Sequence, residues 1–174
     1  IVDDLINRYG IESVPAILDR IKSFGFKYAT KSGVTWGIDD VQEPAGKAAV
    51  IEAGKKKAEE ILNQFNEGLL SGQEKFRKNI EIWHDAKSKV EKLISETMIK
   101  NGSSVNDMIT AGARGSIGNI TQMAGVKGLI QNSRGEVIEV PILSSYKEGF
   151  TPIEYFISSH GSRKGLTDTA LNTA

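Results

Sequence analysis

Reactive chemistry in this 174-residue chain can begin at only a few places, since it holds no cysteine and only two histidines. Thiolate nucleophiles, disulfides and thiolate zinc sites are excluded, and two imidazoles are too few for a histidine-rich metal centre. The most suggestive stretch is Gly112-Ala113-Arg114-Gly115-Ser116, inside a glycine-rich run (101–128) that also holds Gly102, Gly118, Gly125 and Gly128. Backbone amides beside glycine can cradle an anion, and Arg114 would add a guanidinium fork suited to phosphate oxygens. It is neither a P-loop nor the dinucleotide glycine pattern, because no Gly-Lys-Ser/Thr follows at the required spacing. An ordinary turn with a salt-bridged arginine is the competing reading.

A second cluster, His160, Arg163 and Lys164, surrounds Gly161 and Gly165. Each glycine costs about 1 kcal/mol against alanine inside a helix. In exchange the pair thins one face, admits a neighbouring backbone or ligand, and eases bending. A surface helix packed closely on a neighbour accounts for them equally well, and His160 alone reads as a hydrogen-bonded structural residue. Asp39-Asp40 reads as a solvated turn that helps to start the next helix, since adjacent carboxylates point apart on most backbones.

Composition narrows the partners. Lys plus Arg and Asp plus Glu are both 22, so the formal charge is zero, with 16 of each sign up to Lys100 and 6 of each after it. Neither part is a basic patch of the kind that holds nucleic acid by charge alone. A hydrophobic fraction of 39% with 18 glycines is ordinary for a globular chain. No apolar run approaches the ~18–20 residues of a membrane span, and no charged-then-apolar stretch suggests secretion. A soluble, intracellular, metal-poor protein is expected. The sequence begins at Ile1 rather than methionine and stops at Ala174 inside a helical pattern, which reads as an excised piece of something longer.

The elements that must position these groups follow from periodicity. Val14, Ile17, Leu18 and Ile21 have helical spacing, with Gly25 a plausible stop after Phe24. Residues 26–30 and 34–38 read as two short strands around Lys31-Ser32-Gly33. Ile51, Gly54, Ala58, Ile61 and Phe65 then form a heptad seam, resumed after Gly68 and Gly72 by Phe76, Ile80, Trp83, Lys87, Val90, Ile94 and Thr97. Two helices broken by Gly-Leu-Leu-Ser-Gly predict an antiparallel hairpin, with Lys55-Lys56-Lys57 on its wet face. Residues 129–130 and 137–142 read as strands flanking the turn Asn132-Ser133-Arg134-Gly135, the second kept short or at an edge by Pro141. Thr151, Pro152 and Glu154 compose a capping box at the start of a last helix. The fold class is therefore α+β, mainly α: a long antiparallel coiled-coil hairpin on a small mixed α/β base, ending in a long helix.

Together these pieces resemble the largest (β′-type) subunit of bacterial multi-subunit RNA polymerase. The run Tyr155-Phe156-Ile157-Ser158-Ser159-His160-Gly161-Ser162-Arg163-Lys164-Gly165-Leu166-Thr167-Asp168-Thr169-Ala170-Leu171-Asn172-Thr173-Ala174 is similar to that family's bridge helix. The stretch from Ala111-Gly112-Ala113-Arg114-Gly115-Ser116 through Gln122-Met123-Ala124-Gly125-Val126-Lys127-Gly128-Leu129 resembles the segment leading into its F-loop. Gln64-Phe65-Asn66-Glu67-Gly68-Leu69-Leu70 and Ile82-Trp83 match the tip region of its secondary-channel rim hairpin. Phe24-Gly25-Phe26, Ser32-Gly33-Val34 and Gly37-Ile38-Asp39-Asp40 resemble the end of its pore region. The likeness covers nearly the whole chain in the family's order.

The resemblance implies four regions: 1–44 as the end of the pore region, 45–100 as the funnel and rim-helix hairpin, 101–150 as the F-loop region, and 151–174 as the first part of the bridge helix. It implies a piece of a DNA-directed RNA polymerase, a nucleotidyltransferase, that forms the nucleotide-entry channel and part of the active-centre wall. Catalytic residues are not expected within it, because the family's magnesium-binding aspartate loop and mobile trigger loop are missing from this sequence. Magnesium belongs to the full enzyme, and the subunit's zinc sites also lie elsewhere. Arg114 falls on a contact to the incoming nucleoside triphosphate, and Gln122 on an F-loop residue near the folded trigger loop. His160, Gly161, Arg163 and Lys164 fall on the flexible N-terminal part of the bridge, and Thr173 and Ala174 on the pair against the template base.

The hairpin-tip residues Asn66, Leu69, Leu70 and Lys75 fall where Gre-type and DksA-type secondary-channel factors dock. The other partners implied are the β, α, ω and sigma subunits, DNA template and RNA, with no membrane, in a cytoplasmic, nucleoid-associated enzyme. The alternative is an autonomous coiled-coil interaction module that docks transcription factors without catalysis. Two departures stand out: Asn172 where family members often have lysine, and Thr121 where a basic residue is common.

Overall fold

The computed structural model describes residues 2–171. Asn172, Thr173 and Ala174, and with them the expected template-facing pair, lie outside the described residues. The chain divides into two compact units, Ile1–Trp36 and Gly37–Ala174. The described residues are mostly helical and include no strand.

In the first unit, helix α1 (Val2–Tyr9) packs against helix α2 (Val14–Ser32). Helix α2 overturns the expected stop at Gly25 and the expected strands at 26–30 and 34–38. It runs through Gly25 and ends at Gly33, whose φ of 62° is the left-handed geometry that closes a helix. Phe24 and Tyr28, four residues apart, stack at 4.6 Å between ring centroids, and the Thr30 hydroxyl donates to the Phe26 carbonyl. These one-turn contacts favour helix over a hairpin. A glycine stops a helix where its φ turns positive, and Gly25 keeps helical geometry.

The second unit opens with a 3-10 turn, Ile38–Asp40, in which the Asp40 carboxylate accepts the Gly37 N–H at 2.6 Å. Asp40 thus closes its own turn and does not cap the next helix. That helix, α3 (Lys47–Asn66), packs against α4 (Gly72–Asn101). The pair is antiparallel, since Gly46 lies beside Leu93, Gly54 beside Trp83, and Phe65 beside Lys75. Trp83, Ala86, Val90, Ile94 and Met98 form the buried stripe of α4. Ala86, which can pack beside the weak seam position Lys87, is buried in the stripe, Met98 is buried in place of Thr97, and Phe76 and Ile80 of the expected seam lie outside it.

Helices α5 (Ser104–Thr110) and α6 (Ile117–Ile120) and a π-helical turn (Thr121–Gly125) follow. Val105, Ile120, Ala124 and Val126 close over Val41, Val90, Ile94 and Met98 to make the core. The fit is tightest at Gly125. A Cβ there would stand 2.7 Å from both Val90 Cγ1 and Ile94 Cδ1, side chains that are themselves fully buried.

The expected strands at 129–130 and 137–142 are also corrected. Two isolated antiparallel bridges join these segments, Gly128 with Ile142 and Gln131 with Val137. The bridged residues are three apart on the first segment and five apart on the second, so the pairing cannot continue in register. Pro141 removes a further donor. The turn Asn132-Ser133-Arg134-Gly135 does form, with the Gly135 N–H on the Asn132 carbonyl at 3.0 Å and Gly135 at φ 83°.

Polar staples hold the last helix, α7 (Pro152–Leu166), to this body. Lys47, 3% exposed, pairs with Glu148 and, at 3.3 Å, with Glu43, while Lys147 Nζ donates to the Val41 carbonyl. Burial tends to raise the Glu148 carboxyl, but the Lys47 ammonium and Ser145 donors outweigh it and hold the group low. Glu154 closes the capping box and does more. Its carboxylate accepts from the Thr151 N–H and hydroxyl, the Ser144 N–H and hydroxyl, and the Leu143 N–H, all at 2.9–3.1 Å. Burial would raise its pKa, yet the Thr151 and Ser144 donors prevail and lower it from the usual 4.5.

Two outcomes follow from this packing. Gly125→Ala is expected to destabilise the chain by about 1–3 kcal/mol through overpacking, read by denaturant unfolding; unchanged stability would contradict the close approach. A carboxyl lowered in the folded state stabilises above its unfolded pKa, and that stabilisation is lost as pH falls through the lower folded value. Acid unfolding below about pH 4.5 should therefore be steeper for the native chain than for Glu154→Gln. Superimposable acid limbs would refute the anchoring role of Glu154.

Candidate functional site

Arg114 sits between α5 and α6 on a loop that bends at two glycines, Gly112 with φ 68° and Gly115 with φ 82°. The loop's amides are largely committed. Gly112 N–H donates to the Ile109 carbonyl at 3.0 Å and Ala113 N–H to the Met108 carbonyl at 3.1 Å, finishing α5. Ser116 N–H and hydroxyl both donate to Asn119 Oδ1, at 2.9 and 2.7 Å, starting α6. A backbone cradle for phosphate is thus mostly used up internally. The Arg114 guanidinium is not: it is exposed and forms no hydrogen bond or ion pair with any described residue. Among the described residues, no carboxylate forms a salt bridge with Arg114.

Gln122 lies half-buried on the π-helical turn. Its carbonyl accepts the Tyr146 N–H at 3.0 Å, and the Met123 carbonyl accepts the Lys147 N–H at 2.9 Å. The wide turn frees these carbonyls from the helix ladder, and the segment before α7 takes them up. Thr121 is fully buried and its hydroxyl donates to the Ile117 carbonyl at 2.9 Å. The departure at 121 therefore fills an interior position, where a basic side chain would lose its hydration.

On α7, His160 is half-buried and meets the Phe156 ring edge-on at 5.5 Å. Arg163 is exposed, and Lys164 pairs with Asp168 one turn on at 2.6 Å. Gly161 is where the body comes closest, since a Cβ there would lie 2.8 Å from Ile130 Cγ2. Gly165 faces open space. Beyond Leu166 the backbone widens into a second π-helical turn, Thr167–Leu171. No hydrogen bond or ion pair joins Arg114 to Gln122, His160, Arg163 or Lys164.

At the α3–α4 turn, Asn66 is exposed and Leu69 is 69% exposed, while Leu70 is half-buried. Ser71 caps α4 in a reciprocal box with Glu74. Lys75 is already engaged, 3.3 Å from Glu139 and with its Nζ 5.2 Å from the Phe65 ring centroid. Asn79 donates to the same Glu139, leaving its own Oδ1 buried without a partner.

One polar centre has no mark in the sequence pattern. Lys127, 8% exposed, donates to the hydroxyls of Tyr146 and Ser158. Tyr146 and Phe150, four apart, were the available signal, and their rings stack at 5.0 Å. Among the described residues no three His, Asp or Glu side chains converge as metal ligands. No helix among them is long and apolar enough to cross a membrane.

Residues 51–162 match the family described as RNA polymerase Rpb1, domain 4, and residues 1–41 match RNA polymerase Rpb1, domain 3. The chain is 46% identical over all 174 residues to the DNA-directed RNA polymerase subunit beta' of Clavibacter michiganensis, covering 13% of that protein. It is 42% identical over its full length to the corresponding subunit of Shouchella clausii, covering 14% of it. With that of Roseiflexus castenholzii it shares 41% over 172 residues, 99% of this chain and 11% of the relative. The chain thus spans about one-eighth of the relatives it matches. With one domain match covering more than half of it and a second covering its first 41 residues, the chain belongs to the Rpb1 family of RNA polymerase largest subunits.

Proposed function

We propose that this chain is a segment of the largest subunit of a DNA-directed RNA polymerase, lining the nucleotide-entry channel and part of the active-centre wall. The observation that carries the proposal is the unpaired Arg114 guanidinium on its glycine-hinged loop. Phosphoryl transfer is catalysed mainly by positioning and by neutralising charge on the phosphates. A guanidinium that has no internal carboxylate to satisfy can be spent on a triphosphate. Gln122, on the adjoining π-helical turn, borders the same path, where the family's trigger loop folds.

The remaining assignments follow the family pattern. Helix α7 with His160, Gly161, Arg163 and Lys164 acts as the base of the bridge helix, and Thr173 and Ala174 support the template base. Residues 1–44, 45–100, 101–150 and 151–174 serve as pore end, funnel with rim hairpin, F-loop region and bridge. Helices α3 and α4 form a coiled-coil hairpin whose tip receives Gre-type and DksA-type factors. The exposed Leu69 is the apolar anchor there, because Lys75 is already held by Glu139. Magnesium, bound by an aspartate loop outside this sequence, supplies charge neutralisation at the reacting phosphates. The β, α, ω and sigma subunits, DNA and RNA are the partners of the whole enzyme, which works in the cytoplasm at the nucleoid.

In the assembled polymerase, Arg114→Ala is expected to raise the apparent nucleotide KM by about tenfold, with a smaller effect on DNA binding. Single-nucleotide addition at graded triphosphate concentration measures this, and an unchanged KM and turnover would refute the contact. Gly161→Ala should alter elongation and pausing, because the added methyl both stiffens α7 and presses on Ile130. Identical elongation traces would count against a bending bridge.

A further inference from the structure

The Lys127 ammonium is the least conventional group in the structure. It is nine-tenths buried, yet no carboxylate among the described residues pairs with it. Burying a cation without a counter-ion is costly. Here the charge is met by the Tyr146 hydroxyl at 2.6 Å, the Ser158 hydroxyl, and the faces of Tyr146 and Phe150, whose centroids lie 4.7 and 5.3 Å away. Hydroxyl dipoles and ring quadrupoles compensate an ammonium without neutralising it. A methionine of similar length would fill the same space at no desolvation cost. What the ammonium adds is direction, because its hydrogen bonds hold only at particular placements of the two hydroxyls, with the Phe150 ring face beside them.

Those partners come from separate parts of the chain. Lys127 follows the π-helical turn that carries Gln122, Tyr146 and Phe150 precede α7, and Ser158 is on α7 itself. On α7, Glu154, Ser158 and Gly161 are spaced by four and three residues and therefore share one face. Each has a separate contact to the body: Glu154 with Leu143 and Ser144, Ser158 with Lys127, and Gly161 with Ile130. Gly165, one turn on, meets nothing. Gly161 is the last of these three contacts, and Lys127 makes the middle one.

We propose that Lys127 is a positioning residue for nucleotide addition, whose buried ammonium fixes the seat of α7 and hence the direction in which the bridge leaves the F-loop region. This rests on the polymerase reading given above. Lys127 touches no substrate in this account and acts through Ser158. Its loss should therefore slow the reaction after nucleotide is bound, in contrast to loss of Arg114, which weakens nucleotide binding.

The test uses polymerase assembled with the full-length subunit on a preformed RNA–DNA scaffold, measuring single-nucleotide addition against triphosphate concentration. Lys127→Met is expected to lower the maximal rate about tenfold while KM moves less than about twofold. Ser158→Ala should lower the rate in the same sense, the double variant should be no slower than Lys127→Met alone, and Lys127→Arg should restore most of the rate. A normal maximal rate in Lys127→Met, fully additive losses, or a loss confined to KM would each overturn the proposal. If Lys127→Met fails to assemble, Ser158→Ala decides: a lowered maximal rate at unchanged KM upholds it, and a native rate overturns it. Arg114→Ala in the same assay separates the two claims. A raised KM there beside a native Lys127→Met sinks only the role of Lys127, whereas no effect in Arg114→Ala sinks the reading beneath it.

Discussion

The structure of the second unit depends on the close approach of the Gly125 backbone to Val90 and Ile94 of helix α4. Both side chains are wholly buried, and the space left between them and the π-helical turn is too small for a methyl group. Because interiors are packed at crystal-like density, such a contact fixes position in a way that a looser apolar contact cannot. Everything that carries chemistry is measured from it. Arg114 and Gln122 lie before it on the chain, Lys127 two residues after it, and α7 is reached through Lys127. The long helix α4 thus serves as the reference against which the polar residues are placed.

From that reference the polar contacts form a graded series. Lys47 with Glu43 and Glu148 ties the entry to α3 to the segment before α7. Glu154 collects five donors and sets where α7 begins. Lys127 sets its direction, and Gly161 against Ile130 marks where the contact ends. Beyond that point α7 has a glycine facing open space and then a π-helical turn. A helix held at its base by three separate contacts has a fixed origin.

Local signals in the sequence are legible where one residue type has one physical use. Thr151, Pro152 and Glu154 could only start a helix, and the apolar spacing around Trp83, Val90 and Ile94 could only face a partner helix. Gly25 and Gly33 look equivalent in sequence, and only the one-turn pairing of Phe24 with Tyr28 makes the second the true stop. Residues 128–142 have strand composition, but a ladder needs equal spacing on both sides, which is a property of pairing and is invisible in either segment alone. Arg114 was legible because glycines flank it. Lys127 was not, because its partners lie 19 and 31 residues away and none of them is charged opposite to it.

The proposed role of Arg114, free of partners among the described residues so that it can meet a triphosphate, is open to direct observation. The most direct measurement is a structure of the assembled polymerase with a non-reactive nucleoside triphosphate in the insertion site. A guanidinium nitrogen of Arg114 is expected within about 3 Å of a phosphate oxygen. An Arg114 that instead pairs with a carboxylate of another subunit, with the phosphates bound elsewhere, would contradict it.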